Sequence, residues 1–162
     1  ARLSHLHTAY LMDQKEKCIQ DTRVEMTEVV TGSMLNEASF LSTDQLLKWM
    51  DLSACMSAER FCGRSCVTAA MDDVRFHSII KQGEAVILKS QVNAAYKTSC
   101  EVGCKVYSEN LLSGKLHHCC SAYFTFVSLD GTTGKPTQLP LLSVQAADTT
   151  EESQSEITEN KR

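Results

Sequence analysis

Hydrophobic and polar positions along the chain change period once and then change back. From Arg23 to Thr31 they alternate, with Val24, Met26 and Val30 opposed to Glu25 and Thr27, which predicts a half-buried strand. Gly32 to Ser39 reads as a loop. Ser42-Thr43-Asp44-Gln45 sets a hydroxyl three residues before a glutamine, the signature of a capping box. Leu46, Leu47, Trp49, Met50, Leu52, Ala54, Cys55, Met56 and Ala58 follow at helical spacing. A helix is therefore expected over roughly Thr43 to Phe61, with Gly63 as its stop and a length of about 28 Å. Its apolar residues run nearly all the way round until Glu59-Arg60, so it is expected to be buried.

After Gly63 the period returns to two. Cys66 to Phe76 is β-rich but broken by Asp72-Asp73, Ala85 to Ala95 and Ser99 to Ser108 alternate, and Lys115 to Leu129 forms a last strand. Gln82-Gly83 and Asn110 to Gly114 are turns, and turns this short imply antiparallel neighbours. The fold class expected is α+β. A curved antiparallel sheet wraps around one long buried helix, the hot-dog fold. Residues 1–21 read as a flexible arm, 22–130 as the domain, and 131–162 as an extended, largely disordered tail rich in Thr, Ser, Gln and Glu.

Composition narrows the function classes. The 162 residues carry a net charge of −4, and no local run is basic enough for a duplex nucleic-acid binder. No window is apolar for long enough to span a membrane. The eight cysteines lie mostly inside apolar runs, form no CxxC pair and accompany no N-x-[ST] site. Reduced, buried thiols in the cytoplasm are expected, with the mitochondrion as the alternative because a first residue of Ala1 leaves room for a lost targeting peptide. His117-His118-Cys119-Cys120 is not read as a zinc site, since neighbours on a strand face opposite ways, and Asp72-Asp73 is read as a bend. No metal is expected. There is no phosphate-cradling Gly-rich loop and no GxSxG elbow.

Three stretches carry a specific resemblance. They are Gln45-Leu46-Leu47-Lys48-Trp49-Met50-Asp51 with Ala54-Cys55-Met56-Ser57-Ala58-Glu59-Arg60, then Cys66 to Phe76, then Val92 to Gly103. Together, over about 22–130, the chain resembles the first hot-dog domain of the animal two-hot-dog acyl-CoA thioesterases. That group includes the cytosolic acetyl-CoA hydrolase and the thioesterase joined to a lipid-transfer domain; the brain-type acyl-CoA hydrolase is a more distant match. The resemblance implies hydrolysis of acyl-CoA to fatty acid and CoA, with the CoA thioester as substrate and no cofactor. It implies pairing with a second copy or a second hot-dog domain.

Asp51 is the candidate acid. It sits mid-helix between Leu47 and Cys55, where an apolar stripe would desolvate it and raise its basicity. The resemblance implies the same residue, working beside an Asn or Gln of a partner domain. Hydrolysis needs a base for water or a carboxylate that attacks directly, and donors for the oxyanion. The helix N-terminus at Thr43 and Asp44 supplies free N–H groups. The competing reading of Asp51 is a surface ion pair with Lys48. By the resemblance, Ala69, Ala70 and Met71 lie along the CoA arm, Thr98, Ser99 and Cys100 make a second contact, and Lys97 meets a phosphate. An ordinary turn with a solvated Lys97 is the alternative there. By the resemblance, many relatives carry a glycine at the place of Asp44, and catalytically complete partner domains of the family carry an asparagine at the place of Phe40. On that alignment the domain gives the acid but not the amide, and a non-catalytic subunit or CoA-binding module that pairs with an active domain is the alternative function.

Overall fold

The computed structural model describes residues 16–72 and 74–144. The elements are β1 (Glu16–Cys18), a 3-10 turn (Ile19–Thr22), β2 (Val24–Val29), a second 3-10 turn (Gly32–Met34), α1 (Thr43–Cys62), β3 (Cys66–Met71), β4 (Ala85–Ala95), β5 (Ser99–Asn110), β6 (Lys115–Ser128) and β7 (Leu141–Ser143). Five strands form one antiparallel sheet in the order β2-β4-β5-β6-β3, and α1 packs across it. This is the expected hot-dog arrangement.

The helix begins and ends as its sequence dictates. The Ser42 side chain accepts from the Gln45 N–H at 3.3 Å. Gly63, with φ of 69°, takes the left-handed conformation and donates its N–H to the Glu59 carbonyl. One face packs on the sheet through Leu46, Trp49, Met50, Ala54, Ala58 and Phe61. Its serines go inside because each has a partner. Ser53 and Ser90 share a 2.8 Å hydrogen bond, and Ser57 donates to the Thr22 carbonyl at 2.7 Å. The other face is open: Leu52 is 52% exposed and Met56 43%. The apolar circumference therefore does not mean full enclosure, because a five-stranded sheet covers only one side of the helix.

Three register shifts interrupt the ladders, at Thr68/Ala70, Val92/Ala94 and Val106/Tyr107. The last lets adjacent Cys119 and Cys120 both turn inward, so strict alternation fails there. The predicted strand to Phe76 stops at Met71, where the Asp72 N–H closes on the Tyr123 carbonyl. All eight cysteines are free, six of them buried.

The folded region extends past the expected 22–130 on both sides. Thr22 is fully buried, its hydroxyl donating to the Ile19 carbonyl and accepting from the Val92 N–H, which fixes the first 3-10 turn against β4. At the other end Leu139 enters the core, and β7 runs parallel to β1. Residues 16–21 are thus part of the body, not an arm, and 131–144 are not tail. The remaining arm and tail expectations, for 1–15 and 145–162, fall outside the described residues, as does Asp73.

Candidate active site

Asp51 lies in the third turn of α1, half-buried at the boundary between the covered and the open face. Its Oδ1 accepts a 2.7 Å hydrogen bond from the Thr68 hydroxyl of β3. Thr68 faces the helix because it pairs with Phe126, whose ring is in the core. The bond holds the carboxylate at the edge of the sheet, with one oxygen fixed. Lys48 makes no ion pair with Asp51 or Asp44 among the described residues. The surface-pair reading of Asp51 is set aside, and so is full enclosure in an apolar stripe. The carboxylate also registers one turn on: burial, then the charges of Glu59 and Asp51, push the half-buried Cys55 thiol up from its ordinary value.

Thr43 and Asp44 occupy the exposed first turn. The Ser42 cap takes the Gln45 N–H and the Ser42 carbonyl takes that of Leu46, leaving the amides of Thr43 and Asp44 directed outward. They stand two helical turns from Asp51, about 10–12 Å along the axis. One copy therefore does not bring the acid and its own helix N-terminus to the same carbonyl.

The loop before α1 holds a residue that the sequence reading passed over. Asn36 Oδ1 accepts from the backbone N–H groups of Ala38 and Phe40, at 3.0 and 3.1 Å. Its own N–H reaches the Phe40 carbonyl at 2.8 Å. Ser39 at φ 65° completes the tight turn. The Asn36 side chain is exposed, and with Oδ1 occupied its Nδ2 points away without a partner among the described residues. An exposed side-chain amide thus stands at Asn36, four residues before Phe40, and Phe40 serves the turn by its backbone.

The residues predicted to bind CoA divide into two groups, separated by β6. Ala69, Ala70 and Met71 follow Thr68 on the exposed edge strand; Ala69 sits in the bulge, Ala70 faces outward opposite Thr125, and Met71 faces the helix side opposite Phe124. Lys97 and Thr98 form the turn into β5, where their carbonyls bind the N–H groups of Leu139 and Ser128. Ser99 is half-buried at the start of β5. The Cys100 side chain is 0% exposed, inside the core, which leaves only its backbone for a contact at this strand start. There the interaction among the Cys62, Cys66 and Cys100 thiols lowers the Cys62 thiol from its ordinary value and pushes those of Cys66 and Cys100 up. No set of three His, Cys, Asp or Glu side chains among the described residues is arranged to hold a metal.

The profile of the Thioesterase superfamily matches residues 45–115. An uncharacterised acyl-CoA thioester hydrolase of Bacillus subtilis, YkhA, is 36% identical over 121 residues, covering 75% of this chain and 70% of that protein. A Bacillus cereus acyl-CoA hydrolase is 31% identical with a TM-score of 0.79, over 90% of this chain and 88% of that one. The chain belongs to the thioesterase superfamily, among its hot-dog acyl-CoA hydrolases. Mouse acyl-coenzyme A thioesterase 11 is 47% identical over 107 residues, which are 66% of this chain but 18% of that protein. The matched stretch is about a fifth of the length of that protein and of mouse acetyl-coenzyme A thioesterase. The acyl-CoA hydrolase of Staphylococcus aureus, solved with butyryl-CoA and with CoA, superposes with a TM-score of 0.76 at 25% identity, over 81% of this chain and 79% of that one. It has also been solved as alanine variants of one aspartate, one threonine and one asparagine.

Proposed function

We propose that this chain is an acyl-CoA thioester hydrolase domain, with Asp51 as its acid. The observation that carries this is the Asp51–Thr68 hydrogen bond at the open edge of the helix. Two further facts support it. The three residues replaced in the Staphylococcus variants stand at the same spacing along their chain as Asn36, Asp51 and Thr68 here. All three side chains here are exposed or half-buried, open to a substrate.

In this reading the Asp51 carboxylate, oriented by Thr68, takes a proton from water as the water adds to the thioester carbonyl, or adds to the carbonyl itself. The developing oxyanion accepts from Asn36 Nδ2 and the first amides of α1. As the carbonyl reforms, CoA leaves as its thiolate and takes up a proton, on the water route the one Asp51 had accepted; on the direct route a water then cleaves the acyl–Asp51 anhydride, and either way fatty acid is released. Since Asp51 is two turns from its own helix start, the donors come from a second hot-dog domain placed against the open face of α1. Leu52 and Met56 of α1 and Met71 of β3 are exposed apolar residues on that side, and the β3 edge has unpaired backbone groups to offer. A hexameric acyl-CoA thioesterase, 27% identical with a TM-score of 0.79, supports assembly of this kind. Because this chain has both the acid and the amide, a second copy of itself suffices as partner.

Hydrolysis of a CoA chain-length series tests the assignment. Asp51→Asn should lower the rate at least about a hundredfold, the scale of general-base catalysis, while the melting temperature moves little. An active Asp51→Asn protein removes the mechanism. If the wild type is inactive alone but turns over when mixed with another hot-dog domain, the chain is the partner subunit of an active site.

A further inference from the structure

The outer face of the sheet carries a concave region of about 700 Å³ that includes none of Asn36, Asp51 and Thr68. Strand register explains its chemistry. Glu25, Lys89 and Lys105 stand side by side on β2, β4 and β5, and Ser121 continues the row on β6. Arg23 lies one row along, its Nε donating to Gln91 Oε1 at 3.0 Å. Lys89 is held 3.6 Å from Glu25 and 5.8 Å over the Tyr107 ring. The lining thus gathers three cations and one acid. Its floor is open because residue 103 is glycine: a Cβ there would come within 2.6 Å of Asn93 Nδ2.

We propose that this groove binds acidic peptide, and that the chain's own segment 148–159 occupies it. Three observations point to that occupant. The segment contains Asp148, Glu151, Glu152, Glu156 and Glu159 and no basic residue, in a chain whose net charge is only −4. The last described residue, Val144, shares a second groove with Asn93, and Asn93 also lines the first, so the chain leaves the body at one end of the cationic row. The reach fits as well. Lys89 is four strand residues from Asn93, about 13 Å, and an extended chain covers about 13 Å from Val144 to Asp148 and about 26 Å to Glu152. Docking of this kind is electrostatic and falls away with salt.

The test uses the full-length chain labelled with nitrogen-15. Amide signals of Gly103, Lys105 and 148–159 are followed from about 20 mM to about 500 mM salt, a range over which the screening length shrinks severalfold. The groove and the segment should shift together. Reversal by Glu151→Lys with Glu152→Lys, which leaves the body of the protein untouched, should lower occupancy about threefold to tenfold, the scale of two exposed ion pairs. Lys89→Glu with Lys105→Glu should do the same, and the charge-swapped combination of all four should restore coupling. Groove signals indifferent to the segment's charge overturn the proposal. So do shifts that grow with protein concentration, which place a second copy in the groove, and loss of coupling that the swap fails to repair.

Discussion

The two faces of α1 differ in what closes them. On the sheet side, Met50, Ala54, Ala58 and Phe61 have no exposed surface, and even the serines are paired, Ser53 with Ser90 and Ser57 with Thr22. On the other side, three residues in succession change character: Met50 is buried, Asp51 half-buried, Leu52 exposed. A helix usually trades one apolar stripe against a polar one. Here the open stripe is apolar too, with an acid at its border. The sheet face therefore carries the stability of the chain, and in the proposed function the open face carries its chemistry and its contacts, so the two can be perturbed separately.

The largest expected effect is on the closed side. Phe61→Ala should cost about 3–5 kcal/mol, the range for emptying an aromatic site in a core, and should lower the melting temperature by about 10 °C or more. A shift of only a degree or two would mean that the helix end is loosely packed. Leu52→Glu reverses the experiment. It places a charge on the open face, so stability should change by under about 0.5 kcal/mol, while sedimentation should show assembly weakened at least about tenfold, with hydrolysis falling alongside. An unchanged assembly would move the interface elsewhere. Thr68→Val keeps shape but removes the hydrogen bond that fixes Asp51. A turnover loss of about tenfold with little change in substrate affinity is expected, close to the worth of one hydrogen bond to a charged group; kcat and KM measured separately decide it.

The smallest effect at neutral pH concerns the buried thiols. Burial pushes Cys104 up to about 11 and Cys120 up to about 12, from an ordinary value of 9.0. A folded-state value above the unfolded one means that the fold prefers the neutral thiol. That contribution is complete below about 9 and is lost as the pH climbs toward 11 and 12. Denaturant midpoints should be flat between about pH 7 and 8.5 and fall above about 9, and Cys104→Ala should flatten the fall. A midpoint that drops equally in that variant would assign the alkaline loss to other groups.

Much of this was legible in the sequence, because the signals were local. The Ser42 cap, the Gly63 stop and the period-two strands are set by neighbours three or four residues apart, and they held to within a few residues. What was missed depends on register across strands. Thr68 meets Asp51 only because β3 pairs with β6 so as to aim Thr68 inward, and nothing near either residue in the chain announces that. Cys100 was placed at CoA by the resemblance alone, and inward alternation carries its side chain to the core. Asn36 was passed over in favour of Phe40 because a loop offers no period to count. Its exposed amide becomes visible only when the two backbone amides that hold its oxygen are seen. The inward turn of both Cys119 and Cys120 follows from a bulge, which sequence alternation hides.

β1 and β7 are the shortest strands, yet they set how the domain connects to anything beyond it. They run side by side in the same direction, Glu16 against Leu141 and Cys18 against Ser143. Entry at Glu16 and exit at Ser143 are separated by the diagonal of a three-residue ladder, about 8 Å. A unit whose ends meet at one corner behaves as a bead on a string: chain can be lengthened before or after it with no strand re-laid and no core opened. Pulling on both ends would load this small ladder first and leave α1 and the five-stranded sheet unstressed until it parted.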